Sequence, residues 1–236
     1  MDDVMLRPDA GLAGDLLQMR GITRLFPGVR ALDKLDFGLH AGEVHVLLGE
    51  NGAGKSTLIS IMAGALQPTE GEIWMGERRM EFRSPRHARS LGVAAVWQEF
   101  SLVRSMSVAE NLFMGTETTR FGLLTHREMN RRAQAFLDEL GFEIPVDTAV
   151  ENLTRGRQQM VEIAKALLAD PRVLILDEPT ASLTEAESRH LFDSIAKLRA
   201  RKVGIVYISH RMKEIRDIAD RITILRDGRH IATVPN

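Results

Sequence analysis

Gly49-Glu50-Asn51-Gly52-Ala53-Gly54-Lys55-Ser56-Thr57 follows the apolar run Val44, Val46, Leu47 and Leu48 and precedes Leu58, Ile59, Ile61 and Met62. That order predicts a strand, a glycine loop and a helix. Glycines at 49, 52 and 54 admit backbone conformations closed to other residues, so successive N–H groups can converge on a phosphate chain at the positive end of the following helix. The spacing G-x-x-x-x-G-K-[ST] places Lys55 on the β- and γ-phosphates and the Ser56 hydroxyl on Mg²⁺. A chance match in a turn-rich segment would lack the flanking strand and helix.

Working outward, 236 residues with 44% hydrophobic content suffice for one large domain or two small ones, each with a core. A net charge of −1, from 31 basic and 32 acidic residues, gives no electrostatic footprint for nucleic acid or an anionic membrane surface. The absence of cysteine excludes a disulfide framework and a thiolate metal site. No apolar run approaches the ~20 residues of a membrane span, and Met1-Asp2-Asp3 carries acids where a secretory leader carries positive charge. A soluble, cytoplasmic chain is expected, with residues 1–14 a flexible N-terminus.

Leu16 to Phe26 and Leu32 to Leu39 alternate apolar with polar residues around the turn signal Pro27-Gly28, predicting two antiparallel strands. A short strand is expected at Glu72–Met75 with a partner near Arg79–Phe82, then a short helix at Arg86–Leu91 and a buried strand at Val93–Trp97. From about Ser101 to Glu151 strand-like runs vanish. Ser107-Val-Ala-Glu110 and Thr125-His-Arg-Glu128 fit capping boxes, and a glycine- and threonine-rich loop, Phe113 to Leu124, separates them. The second box opens a helix carrying Met129, Ala133, Phe136, Leu137 and Leu140. This segment, about 101–151, reads as a helical subdomain inserted between strands of the core. The core resumes with a helix from about Arg157 to Ala169 and the apolar run Val173 to Leu176, a central parallel strand. A helix capped by Thr184-Glu-Ala-Glu187, a strand Gly204–Ser209, a helix Met212–Ala219 and a hairpin about Asp227-Gly228 complete the chain.

Leu176-Asp177-Glu178-Pro179-Thr180 places two carboxylates at the carboxyl end of a buried strand, where open α/β sheets bind ligands. Asp177 can hold Mg²⁺ directly or through water, and Glu178 can polarise a water for in-line attack on the γ-phosphate. An acidic helix cap after a strand would explain one carboxylate, not both. Gln98 follows a core strand and could touch Mg²⁺ or the attacking water, or be an ordinary loop residue. His210 ends another strand and could bond a γ-phosphate or fill a structural role. Phe26 could stack on adenine or belong to the core.

Taken in order, these motifs resemble the nucleotide-binding domain of ABC ATPases from about Leu17 to Thr233. Phe26 matches the adenine-stacking aromatic, Gly49 to Thr57 the Walker A loop, Gln98 the Q-loop, and Leu153-Thr-Arg-Gly-Arg-Gln158 the signature. Val173 to Glu178 matches Walker B with its catalytic glutamate, and His210 the switch histidine. The resemblance implies ATP and Mg²⁺ as cofactors, Glu178, His210 and Gln98 in catalysis, Ser56, Gln98 and Asp177 on the metal, and Thr154 and Gly156 offered to a partner's ATP. It also implies an α/β P-loop NTPase core with an antiparallel β subdomain, about 15–100 and 152–236, and the inserted helical one. Phe26-Pro-Gly-Val-Arg-Ala-Leu32, Gln159-Met-Val-Glu-Ile-Ala-Lys-Ala166 and Tyr207-Ile-Ser-His-Arg-Met-Lys-Glu-Ile215 are similar to the ATPases of ribose- and galactose-type sugar importers in particular. Those are typically about twice this length, with two such domains in tandem; this chain resembles the first.

The implied partners are permease subunits, met through the helical subdomain and the Q-loop, a second ATPase domain and, indirectly, a periplasmic or extracellular sugar-binding protein. The implied location is peripheral, on the cytoplasmic face of the membrane, with no nucleic acid bound. A non-transport ABC protein acting on ribosomes or nucleic acid is the alternative; the long charged linker or coiled coil of such relatives is not seen here. The chain departs from the family at Thr154 for the usual serine, at Arg155 and Arg157 for small and polar residues, and at Thr184 for aspartate, a change found in the sugar group. These departures bear on how well this signature would serve a partner's ATP and leave the chain's own Walker A and B intact.

Overall fold

The computed structural model describes residues 15–115, 119–120, 123–124 and 126–236. The alternating start of the chain forms a hairpin, β1 (Asp15–Phe26) and β2 (Val29–His40). Its turn needs Gly28, at φ +76. β3 (Val44–Leu48) runs through the glycine loop into α1 (Lys55–Met62). β4 (Glu70–Met75) and β5 (Arg78–Met80) pair next, followed by α2 (Pro85–Ser90) and β6 (Val93–Val96). The expected partner strand at Arg79–Phe82 is shifted towards the turn, because Phe82 leaves the ladder and is buried in the core. α2 starts at Pro85, whose missing N–H and fixed φ suit a first helical position, and the Ser84 hydroxyl accepts the His87 N–H.

α3 (Val108–Phe113) carries the capping box of Ser107 and Glu110, satisfied in both directions. β7 (Thr119–Arg120) and β8 (Leu123–Leu124) pair antiparallel inside the segment read as loop, each too short for alternation to register. α4 (His126–Leu140) buries Met129, Ala133 and Leu137 on one face. The box proposed for its start includes Thr125, outside the described residues. A 3₁₀ turn at Val150–Asn152 precedes α5 (Arg155–Leu167), which begins two residues before the expected Arg157 because Thr154 is its cap. There follow β9 (Val173–Asp177), α6 (Glu185–Ala200) with the predicted Thr184–Glu187 capping box, β10 (Gly204–Ile208), α7 (Met212–Ile218), β11 (Arg221–Arg226) and β12 (Arg229–Pro235).

Two sheets organise these elements. β2-β1-β4-β5 is antiparallel throughout. The larger runs β12-β11-β3-β10-β9-β6, parallel except for the edge strand β12. Alternation along its strands feeds two cores. Val44, Val46, Leu174, Leu176, Ile205 and Tyr207 join residues of α3 to α6, whereas Leu47, Val173, Ile175, Val206 and Ile208 join α1 and the antiparallel sheet. With both faces covered, the strands read as continuous apolar runs, and each fully buried Leu, Ile or Val contributes roughly 1.5–3 kcal/mol. Register then fixes the site: Ile208 pairs with both Asp177 and Leu47, and Leu176 with Val96. The carboxyl ends of β3, β10, β9 and β6 therefore lie side by side.

Candidate functional site

The loop after β3 is shaped by two different demands on glycine. Gly52 and Gly54 have φ +83 and +100, and Gly54 immediately precedes α1. Gly49 instead allows close approach, since a Cβ there would lie 2.5 Å from the Leu225 carbonyl oxygen of β11. Ala53 is buried; its N–H donates to Glu50 O at 3.2 Å and its carbonyl accepts the Gly228 N–H at 3.2 Å, tying the loop to the β11–β12 turn. Lys55 Nζ donates to Gly49 O at 2.6 Å and Glu50 O at 2.9 Å, so its ammonium sits over the loop's own carbonyls. Glu50, Asn51, Gly52 and Ser56 are exposed, and Lys55 and Thr57 half-buried.

Asp177 ends β9, half-buried. Burial and then the adjacent Glu178 charge push its carboxyl above the ordinary range, opposed by the Lys55 ammonium. Loop lysine and strand carboxylate thus share one electrostatic environment. Glu178 holds φ +46, a left-handed conformation that costs a non-glycine residue about 1–3 kcal/mol. Its N–H donates to Ile208 O at 3.0 Å. Its side chain, 30% exposed, meets His210, whose Nδ1 lies 3.2 Å from Glu178 Oε1 and whose side chain is 74% exposed. Neither carboxylate caps a helix, since α6 is capped by Thr184. A carboxylate at the carboxyl end of a central strand can polarise a water, and an imidazole beside it can bond both carboxylate and phosphate.

Gln98 is exposed two residues beyond Val96, which pairs with Leu176 beside Asp177, so β6 delivers it to the same end of the sheet. Phe26 is not core: it is 37% exposed with the Arg24 guanidinium 4.8 Å from its ring. The contacts of the signature stretch form a separate set. The Thr154 hydroxyl accepts the Arg157 N–H at 3.3 Å, and the Arg155 guanidinium lies 4.8 Å from the Phe100 ring, so its bulk rests on the chain's own Q-loop neighbour. Gly156 is buried; a Cβ there would meet Glu187 Oε2 at 2.8 Å and Ser182 O at 3.0 Å. Glu214, which periodicity does not flag, is bonded to Thr180 and Ser209. In sequence it reads only as an acid in a helix's first turn, favourable to the dipole.

Among the described residues no group of three or more His, Asp or Glu side chains could hold a metal unaided. The donors at this end of the sheet are oxygens, the Ser56 hydroxyl, the Asp177 carboxylate and the Gln98 amide oxygen, which suit Mg²⁺ completed by water and phosphate. Asp177, penalised by burial and by Glu178, gains from a cation beside it.

A match to the family described as ABC transporter spans residues 32–181. A ribose import ATP-binding protein of Rubrobacter xylanophilus is 52% identical over 219 residues, covering 93% of this chain and 44% of that protein. A putative ribose/galactose/methyl galactoside import ATP-binding protein of Burkholderia ambifaria is 50% identical over 235 residues, covering 98% of this chain and 46% of that protein. The chain thus spans less than half the length of these curated relatives. Among solved structures, a nucleotide-free ATP-binding cassette from an ABC transporter superposes with a TM-score of 0.83 at 24% identity, over 94% of this chain and 92% of that one, and shows the fold. CbiO1 of Clostridium perfringens, part of an ABC transporter complex, gives 0.78 at 26% identity, covering 94% of this chain and 89% of that chain.

Proposed function

Since the chain belongs to the ABC transporter family, we propose that it binds MgATP, hydrolyses it against a second ATPase domain, and so powers a membrane permease that imports a sugar. The observation that carries the reading is the convergence of Lys55, Asp177, Glu178 and His210 at the carboxyl ends of neighbouring central strands. The loop amides of residues 49–54 and Lys55 bind the phosphates, and Phe26 stacks on the adenine. Ser56, Asp177 and Gln98 hold Mg²⁺, which neutralises charge on the phosphates when bound. Glu178 polarises the attacking water, His210 beside it hydrogen-bonds the γ-phosphate, and Thr154 and Gly156 face the ATP of the second domain.

A ribose- or galactose-type cargo is supported by the names of relatives at about 50% identity. The substrate would touch the permease and its binding protein, not this chain. No described helix is long and apolar enough to cross a membrane, so attachment at the cytoplasmic face is through the permease, received by the helical subdomain of residues 101–151 and the Q-loop. The near-neutral charge, −1, and the relatives' names favour transport over action on ribosomes or nucleic acid.

Titration with MgATP and turnover of wild type, Lys55→Ala and Glu178→Gln test the reading. Lys55→Ala should lose binding, and Glu178→Gln should bind like wild type and lose most hydrolysis. Wild-type affinity in the first, or wild-type turnover in the second, removes the corresponding assignment.

A further inference from the structure

Glu214 is a carboxylate buried at the start of α7 that the proposed chemistry does not use. Four donors converge on it. The Thr180 hydroxyl lies 2.8 Å from both of its oxygens, the Tyr207 and Ser209 hydroxyls each 3.0 Å from Oε2, and Arg211 Nη1 3.2 Å from Oε1. Ser209 Oγ also accepts the Arg211 N–H at 3.1 Å, which fixes the backbone on the far side of His210. Tyr207 is fully buried. Burial, and then the Glu214 charge, push its phenol far above the ordinary value, so it stays a donor.

The donors come from two stretches of chain, Thr180 from the loop after β9 and Tyr207, Ser209 and Arg211 from the end of β10 and the loop after it. Thr180 is two residues after Glu178, across the buried Pro179, and Ser209 immediately precedes His210. These are the loops whose outer residues meet at 3.2 Å. Glu178 itself sits at φ +46, a conformation that persists only where the surroundings over-determine it. On one side the Ile208 carbonyl takes its N–H; on the other, Thr180 is pinned to Glu214.

Resting on the reading of Glu178 and His210 as the hydrolytic pair, we propose that Glu214 is a positioning residue for ATP hydrolysis: its carboxylate clamps the β9 and β10 loops together and so sets the approach of Glu178 to His210. It touches no nucleotide, and Lys55 and the glycine loop do not depend on it. Its removal separates turnover from binding, and the effect runs through Thr180 and Ser209.

The test uses the whole chain assembled with a second ATPase domain, with Glu178→Gln as control. Glu214→Gln keeps the volume and an acceptor but removes the charge; a misplacement of about 1 Å caused by a change away from the chemistry can cost about 100-fold, so kcat should fall by at least about 10-fold while the ATP dissociation constant stays within about 2-fold of wild type. Thr180→Val should lower kcat in the same way. Combined with Glu214→Gln it should add little, because both cut one connection. If Glu214→Ala fails to fold, the isosteric Glu214→Gln and the Thr180→Val variants decide. Unchanged kcat in folded Glu214→Gln, with Glu178→Gln inactive, overturns the clamp and leaves the hydrolytic pair standing. Parallel loss of ATP affinity and kcat in Glu214→Gln reduces Glu214 to a general stabiliser and also overturns it. Turnover retained in Glu178→Gln sinks the parent reading instead.

Discussion

Gly54→Ala sets two penalties on the phosphate loop, and Gly52→Ala separates them. At φ +100 an alanine occupies a backbone conformation that costs on the order of 1–2 kcal/mol. Its Cβ would also stand 2.7 Å from Leu32 Cδ2 and 2.9 Å from the Ala31 carbonyl oxygen. The leucine tip can rotate. The carbonyl cannot move freely, because it belongs to β2, where the Asp33 N–H is held by Gly228 O at 2.9 Å. Relief therefore means backbone displacement, roughly another 1–3 kcal/mol. Gly52 has φ +83 with nothing within 4 Å of an added Cβ, so Gly52→Ala carries the first penalty alone. Gly54→Ala should then be destabilised by about 2–5 kcal/mol against about 1–2 for Gly52→Ala, and at roughly 2–4 °C per kcal/mol for a chain this size its Tm should lie at least about 2 °C lower. Thermal unfolding followed by circular dichroism, with an ATP titration of each variant, is the assay. Both should bind ATP more weakly, since escape from positive φ turns loop N–H groups off the phosphates. Equal Tm for the two, or wild-type ATP affinity in Gly54→Ala, would refute the reasoning.

Glu43 offers a pH test away from the site. Burial, the largest influence, opposes its charge, but the His45 ring 3.2 Å away, the hydrogen bond from the His40 backbone N–H and the Arg221 charge outweigh it and hold the carboxyl below its ordinary 4.5. A depressed folded value means stability present above about pH 4.5 and lost as pH falls through the folded value. Glu43→Gln should be less stable than wild type at neutral pH with the gap closing in acid, and a pH-independent gap in denaturant midpoints would contradict this. For docking, cysteines at Ser101, Ser105 or Met114 should cross-link to the permease in reconstituted membranes; capture only from Ile231 and Val234 on β12 would place the contact elsewhere.

What could be read from sequence was what the chain writes contiguously. Gly49 to Thr57 spells out loop, lysine and hydroxyl in one run, and Val173 to Glu178 spells out strand and carboxylates; both appear where the spacing puts them. Capping boxes at Ser107 and Thr184 are four-residue signals and are equally plain. The environment of Phe26 was not, because Arg24 lies over its ring only once β1 fixes both side chains. Pairing of Gln18 with Trp74 joins strands more than fifty residues apart, which alternation alone cannot select. Thr180, Tyr207, Ser209 and Glu214 become one cluster only when β9 and β10 pair in register. The left-handed Glu178 is invisible in sequence for a related reason, since an isolated chain would not choose it.

That conformation has an evolutionary corollary. Position 178 is where the backbone would prefer glycine or asparagine, residues that enter the left-handed region more readily. A library of this chain screened for heat resistance alone should enrich such replacements there, and the survivors would be sturdier and inert. Persistence of glutamate under a screen for transport, and its drift under a screen for stability, would mark position 178 as one where selection for turnover opposes selection for a relaxed fold.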